Sequence, residues 1–373
     1  MSAPARIVTV NPGSHSLQLG LFAGERTERS DEIDDDPTGT AAGTALSDFL
    51  ADAAADGPID VISYRLVHGG DLITEPTAID DRLRRDLDRF TPLAPGHNPA
   101  TLACIDQART THGSAVHLIC PDTAFHSSMP PRATTLAVPR HWRDRYGARR
   151  YGFHGVSYGW AVQRAAQLLA ANPDSLNLII THLGGGCSVC ATHNGRSIWT
   201  TMGMTPADGL VMTRRSGAVD PGLLLWLQST HGLSADEIRD ALQRDSGLLA
   251  LSAGRSADTR DLVAAAADGD SDAALAMEIF TDSVRRNVAA AATMLPGLDA
   301  IVFTGEIGYD QPEVRDAVCG GLGMLGVPTA LKQPEPGDRI ISPAGAHPAV
   351  LTIETGEAAE LARLARQFLQ PRR

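Results

Sequence analysis

Apolar residues recur along this chain in two periods. Short runs at residues 6–10, 16–22, 59–67, 115–120, 177–183, 187–192, 299–304 and 349–353 read as strands. Between them lie Ala-rich stretches with helical spacing, notably 41–55, 158–171, 235–244, 271–294 and 357–369. The alternation predicts an α/β fold with mixed sheets. The acidic stretch Asp31 to Asp36 reads as a solvated loop or turn.

The first strand is interrupted in an instructive way. It runs apolar to Val10, breaks over Asn11-Pro12-Gly13-Ser14, and resumes alternation at Leu17, Leu19 and Leu21. A turn of small residues serves an ordinary hairpin, and it also lets backbone N–H groups and hydroxyls close on a phosphate. Taken alone the stretch fits either use. Residues 178–195 repeat the grammar: an apolar strand, the glycines Gly184, Gly185 and Gly186, a serine, then a second alternating strand. Laying Gly13 on Gly185 puts Ser16 on Ser188 and Leu17 on Val189, which suggests a duplicated unit with a phosphate hairpin in each half. No GxxxxGK[ST] string occurs. A GxGxxG does, at Gly321, Gly323 and Gly326, but it follows a helix-like run and leads into Val327-Pro328, so it reads as a helix-to-strand turn and not as a dinucleotide fingerprint.

Composition narrows the function. The 373 residues suffice for two domains, and the formal charge of −12 argues against a nucleic-acid partner, which needs a basic face. A small-anion site must then be locally positive. No signal-peptide pattern and no run of transmembrane length is visible, so a cytoplasmic protein without a membrane partner is expected. Five cysteines, an odd number, read as reduced thiols; Cys187 and Cys190 form a CxxC, but at a strand and without a second pair to complete a zinc site.

Six further segments put polar groups at the ends of apolar strands, where loops carry function. They hold Arg65 and His68, His97 and Asn98, Asp122 and His126, His154, Arg214 with Arg215 and Asp220, and Thr304 with Gly305 and Gly308. Each alone has a structural alternative, such as a turn hydrogen bond or a surface ion pair. Their occurrence together with two hairpins of phosphate-loop type is harder to dismiss.

These residues resemble the acetate kinase family, carboxylate kinases of the acetate and sugar kinase, heat-shock chaperone and actin superfamily. The resemblance rests on Asn11-Pro-Gly-Ser, Arg65-Leu-Val-His-Gly-Gly, Asp122-Thr-Ala-Phe-His, Tyr151-Gly-Phe-His-Gly, His182-Leu-Gly and Met202-Gly-Met-Thr-Pro. It continues through Arg215-Ser-Gly, Asp258-Thr-Arg260, Phe303-Thr-Gly and His347-Pro-Ala-Val to Thr355-Gly-Glu357. It implies two duplicated actin-like, ribonuclease H-like domains with mixed sheets flanked by helices, and an active-site cleft between them. Residues 1–128 plus 359–373 would form the N-terminal domain, and residues 129–358 the nucleotide-binding one.

The implied reaction is reversible transfer of the ATP γ-phosphoryl group to acetate, propionate or a longer acid. A carboxylate is already ionised at neutral pH, so the chemistry needs positioning and charge neutralisation more than a base. By resemblance the catalytic set is Arg65, Asp122, His154 and Arg215, with Mg²⁺ held by Asn11 and Glu357. The acid would lie among Arg65, Val67, Gly96, Phe153 and Pro206. The nucleotide would meet His182, Gly184, Gly185, Gly186, Asp258, Thr259, Arg260, Gly305, Glu306, Ile307 and Gly308. The family also implies a homodimer.

Several positions depart from the family pattern. Gln18, Tyr158, Gly185, Trp199, Arg214 and Ala218 replace the usual Lys, His, Asn, Asp, Thr and Asp. Gly96 stands where an aliphatic side chain is usual, which opens room for an acid longer than acetate. Glu306 replaces a glycine facing the nucleotide, where a carboxylate would repel phosphates. A pyrophosphate-dependent acyl kinase and a catalytically weak nucleotide-binding regulator therefore stand as alternatives.

Overall fold

The computed structural model describes residues 4–13, 16–332 and 335–370. They form two compact units, one of residues 4–127, 153–160 and 356–370 and the other of 128–152 and 161–355. Relative to the expected boundaries, Phe153–Trp160 and Gly356–Ala358 therefore group with the first unit, and Ser128 with the second.

The first unit is built on a six-stranded sheet in the order β3-β2-β1-β4-β6-β5. Its strands are β1 (Arg6–Pro12), β2 (Leu17–Ala23), β3 (Arg26–Ile33), β4 (Val61–Leu66), β5 (Thr77–Ala78) and β6 (Val116–Pro121). β1, β2 and β3 form an antiparallel meander, β4 and β6 extend it in parallel, and β5 pairs antiparallel on the far edge. The second unit repeats this arrangement. β7 (Leu178–Leu183), β8 (Cys187–His193) and β9 (Arg196–Thr200) form the meander, and β10 (Ala300–Thr304) and β12 (Ala349–Thr352) extend it in parallel. β11 (Arg339–Ile340) lies antiparallel at the edge, giving the order β11-β12-β10-β7-β8-β9. The duplication expected from two short hairpins thus extends to every strand of both sheets.

Central strands are buried along nearly their whole length and largely apolar because both of their faces are covered. On one face of the first sheet, the helix Thr40–Ala55 buries Ala42, Leu46, Phe49, Leu50 and Ala53, one helical stripe, beside Leu102 and Ile105 of the helix Asn98–Thr111. On the other face, Leu361, Ala362 and Ala365 of the C-terminal helix Glu357–Leu369 pack on Ile7, Val61, Leu118 and Cys120. The chain's last helix therefore completes its first domain, and each such large aliphatic side chain contributes about 1.5–3 kcal/mol.

Three sequence expectations change. Asp31 to Asp36 is not wholly a loop: Asp31, Glu32 and Ile33 end β3, a charged edge strand whose polar composition hid it from a search for apolar alternation. The glycines at 321, 323 and 326 close the helix Pro312–Gly320 and a short 3₁₀ turn, but the next strand begins only at Arg339, so they end a helix without starting a strand. The two hairpins also differ in length. Pro12↔Leu17 closes the first around a four-residue loop, within which the Gly13 N–H donates to the Ser16 carbonyl (2.7 Å). Leu183↔Cys187 closes the second around three residues. Ser16 is thus a loop residue and Ser188 a strand residue, and the linear alignment of the two does not hold. Ser14, part of the first motif, lies outside the described residues.

Candidate functional site

The first unit holds eight of the expected site residues. Arg65 sits near the C-terminal end of β4 and Asp122 directly follows β6, neighbouring parallel strands whose register pairs Arg65 with Cys120. The Arg65 guanidinium donates to both Asp122 oxygens, Nη2 to Oδ2 at 2.9 Å and Nε to Oδ1 and Oδ2 at 3.3 and 3.2 Å. Its Nη1 donates to Asn11 Oδ1 (3.3 Å) and lies 3.7 Å from Glu357 Oε1. Asp122 is fully buried and accepts a further bond from the Val156 N–H at 3.1 Å. Burial works against the Arg65 charge, but Asp122 and Glu357 outweigh it and raise the guanidinium pKa above its ordinary value. Asp122 is therefore engaged as a clamp on Arg65.

Asn11 is oriented by a relay. Its Nδ2 donates to Gln18 Oε1 (3.0 Å), and Gln18 Nε2 donates to Glu32 Oε1 (3.0 Å), so the Asn11 oxygen faces Arg65. Gln18, a departure from the family pattern, thus acts through hydrogen bonding and not through charge.

His154 has φ 59°, a left-handed backbone that a non-glycine residue adopts at a cost of order 1 kcal/mol. Its carbonyl accepts from the Tyr158 N–H (2.9 Å) in the first turn of the helix Gly155–Leu168, and its ring meets the buried Tyr158 ring edge-on at 6.4 Å. Gly155 is required next to it, because a Cβ there would lie 1.9 Å from the Asp122 carbonyl oxygen. Phe153 is buried, packs edge-on against His68 at 5.2 Å, and its carbonyl lies 2.9 Å from His126 Nε2. His68 and Asn98 bond each other through the His68 backbone (3.1 and 3.0 Å), which seats the loop after β4 on the helix Asn98–Thr111. Val67 is buried, whereas Gly96 is exposed and a Cβ there would meet nothing within 4 Å.

The second unit holds the remaining residues. Arg215 Nη1 donates to the Pro206 carbonyl at 3.1 Å, and burial lowers its pKa, with a smaller opposing effect from Cys187. Arg214 and Ala218 are exposed, and Trp199 is half-buried on β9.

A pocket of about 510 Å³ opens beside the second hairpin. Gly184, Gly185, Asp258, Thr259, Arg260, Glu306 and Ile307 line it, and so do Thr213, Ala257, Asp310 and Gln311, which sequence reasoning did not name. Asp310 and Gln311 directly continue the FTGEIGY motif, so following that turn further would have found them. His182, Gly186, Gly305 and Gly308 are not among the lining residues. Gly305 has a supporting role: its φ is 79° and a Cβ would lie 2.3 Å from the Leu183 carbonyl oxygen. Only glycine allows β10 to turn into the short helix Gly305–Asp310 this close to the hairpin. Asp258 caps the helix Thr259–Ala267 through the Arg260 N–H (2.8 Å) and pairs with the Arg260 side chain (2.8 Å), which lowers its pKa.

Cys187 and Cys190 are free and buried, and burial pushes both thiols up to about 12. Among the described residues, no three His, Cys, Asp or Glu side chains gather as a metal cage.

Comparison with solved structures defines the class first. Superposition on the acetate kinase of Porphyromonas gingivalis gives a TM-score of 0.86 at 28% identity, over 98% of this chain and 100% of that one. A propionate kinase from Francisella tularensis subsp. tularensis SCHU S4 gives 0.84 at 30% identity, over 96% and 98%. The two six-stranded units are thus the two actin-like domains of a kinase. The pattern of the Acetokinase family matches residues 8–363, and the acetate kinase of Deinococcus deserti is 42% identical over 317 residues, 83% of this chain and 78% of that protein. The chain belongs to the acetokinase family, phosphotransferases whose acceptor is a carboxyl group.

Proposed function

We propose that this protein transfers the γ-phosphoryl group of a nucleoside triphosphate, ATP in the family's reading, reversibly to a short-chain carboxylate, giving an acyl phosphate. The observation that carries the proposal is the Arg65 guanidinium, held at the end of β4 by the buried Asp122 carboxylate. A planar fork fixed in this way suits a carboxylate or phosphoryl group, and its raised pKa keeps it charged across the working pH range.

The acceptor arrives as an anion and must approach a polyanion, so the work is electrostatic. Arg65 and Arg215 would neutralise the acceptor and the transferring group. His154, with its backbone fixed in a strained turn, would donate to the phosphoryl oxygens, while Asp122 acts by positioning Arg65. Asn11 and Glu357 offer hard oxygen donors beside Arg65, which fits a Mg²⁺ ion that arrives with nucleotide phosphates, keeps several waters, and needs only one or two protein ligands. That ion would supply charge neutralisation at the phosphates. The pocket beside Gly184 and Gly185 would take the nucleotide, its 510 Å³ lying within the range of ligand sites.

Two smaller readings accompany this one. A Cβ at the exposed Gly96 would meet nothing within 4 Å, which favours acids longer than acetate. The helix Pro221–His231 buries none of its residues and exposes Leu223, Leu225 and Trp226, an apolar face suited to a homodimer contact. No helix among the described residues is long and apolar enough to cross a membrane, and we assign the protein to the cytoplasm, where its nucleotide donor is found.

The test is hydroxylamine trapping of acyl phosphate with Mg²⁺, C2 to C6 acids, and either ATP or pyrophosphate. Hydroxamate formed with ATP supports the reading. Hydroxamate with pyrophosphate alone, or nucleotide binding without any product, overturns it.

A further inference from the structure

The pocket beside the second hairpin has a direction. Gly184 and Gly185 form one end, and the Glu306 backbone nitrogen lies 3.8 Å from where a Gly184 Cβ would sit. Asp310 follows four residues later, about 6 Å along the short helix at 1.5 Å per residue, and Gln311 directly follows its end. With phosphates at the hairpin, a nucleotide would extend its base along this helix, toward Asp310 and Gln311.

That far end is rich in acceptors. Among the described residues neither Glu306 nor Asp310 makes a hydrogen bond or an ion pair, and the one guanidinium in the lining, Arg260, is already paired with Asp258. The two carboxylates, four residues apart on one short helix, repel each other, and within the lining only the attraction of Arg260, which is already paired with Asp258, offsets this. Gln311 adds an independent observation: it is 7% exposed, and its carboxamide oxygen is buried without a hydrogen-bond partner. The buried Thr259 hydroxyl, also in the lining, has none either.

We propose that Asp310, with Gln311 beside it, selects guanine over adenine as the base of the donor nucleotide; the inference rests on the nucleotide-binding reading above. A guanine presents N1–H and N2–H₂ side by side, two donors that match the two oxygens of a carboxylate. An adenine presents N6–H₂ next to the N1 lone pair, so a carboxylate there accepts one bond and faces a second acceptor. A two-bond match of this kind discriminates bases by about tenfold or more. The Gln311 carboxamide, with both a donor and an acceptor, can meet the guanine O6 edge.

Calorimetric titration of the full-length protein with MgGDP and MgADP, alongside hydroxamate kinetics with MgGTP and MgATP, tests this. The expected results are at least tenfold tighter binding of GDP and a higher kcat/KM for GTP. Asp310→Asn should lower the guanine-to-adenine ratio at least tenfold in both measurements, and Gln311→Leu should weaken GDP more than ADP. Tighter ADP binding by the unaltered protein overturns the proposal. So does equal weakening of both nucleotides in Asp310→Asn, which would mean a ribose contact, or binding of neither nucleotide. A guanine preference that depends on Asp310 without any hydroxamate upholds this inference while refuting the carboxylate-kinase reaction.

Discussion

Replacing Asp122 by Asn removes one charge and almost no volume, so it isolates what the carboxylate does for Arg65. In the native protein the fully buried Asp122 side chain accepts from Arg65 Nε and Nη2 and from the Val156 N–H. An Asn can keep the Val156 bond through its single oxygen, but its NH₂ then points at the guanidinium donors. Two charge-assisted bonds at about 1.5–3 kcal/mol each are lost, in line with the roughly 3–5 kcal/mol cost of breaking a buried pair from one side. Against a total stability of about 5–15 kcal/mol this is large, and the variant should unfold at clearly lower urea concentration. Arg65 retains only the long Nε contact to the remaining oxygen, the Asn11 contact and the longer approach to Glu357, so its fork is no longer held at Nη2. Misplacement of about 1 Å at a reacting group costs on the order of 100-fold in rate, and kcat for acyl hydroxamate should fall by that order. Circular dichroism in urea and initial-rate kinetics at saturating acid and nucleotide check the two effects separately. A variant that keeps kcat within threefold and loses less than about 1 kcal/mol would refute the clamp.

Other outcomes follow from single contacts. Gly305→Ala places a Cβ against the Leu183 carbonyl at positive φ, and it should raise the nucleotide KM while leaving the acid KM nearly unchanged, as read by initial rates. A Cβ at residue 96 would meet nothing within 4 Å, so Gly96→Leu should fold normally and shift preference from butyrate toward acetate in a kcat/KM series. Burial pushes Cys104, Cys120, Cys187, Cys190 and Cys319 up to about 12, so the native protein should not react with thiol reagents at pH 8. Because the folded thiols hold protons that the unfolded chain releases near pH 9, the stability they contribute is complete below that pH; urea midpoints should fall as pH rises from 9 toward 12. Trp226→Glu on the exposed helix should convert a dimer to monomers in analytical ultracentrifugation, whereas an unchanged mass would assign that face elsewhere.

Much of the architecture was written in local patterns. Largely apolar, buried strands such as Val61–Leu66 and Leu178–Leu183, and Ala-rich stripes such as Thr40–Ala55, carry their periods in composition because both sides of a strand, or one face of a helix, are buried. The motif series from Asn11 to Glu357 was equally legible, since strand ends and glycine turns leave compact signatures. Charged β3 escaped notice: an edge strand keeps water on its flank and needs no apolar alternation. The Gly321–Gly326 turn misled for a related reason, because a glycine-rich stop looks alike whether a strand or a loop comes next.

The sequence by itself determined which residue types stand at strand ends, the duplication of the hairpin, and the kinship with carboxylate kinases. Only the tertiary structure decided how those residues meet. It set the Asp122 carboxylate on Arg65, ran the Glu32–Gln18–Asn11 relay across three strands, returned the last helix to the first sheet, and brought Asp310 and Gln311 into the pocket beside Gly184. The physical reason is separation along the chain. Arg65 and Asp122 are 57 residues apart, and their pairing depends on β4 and β6 lying side by side in register, which no local pattern encodes.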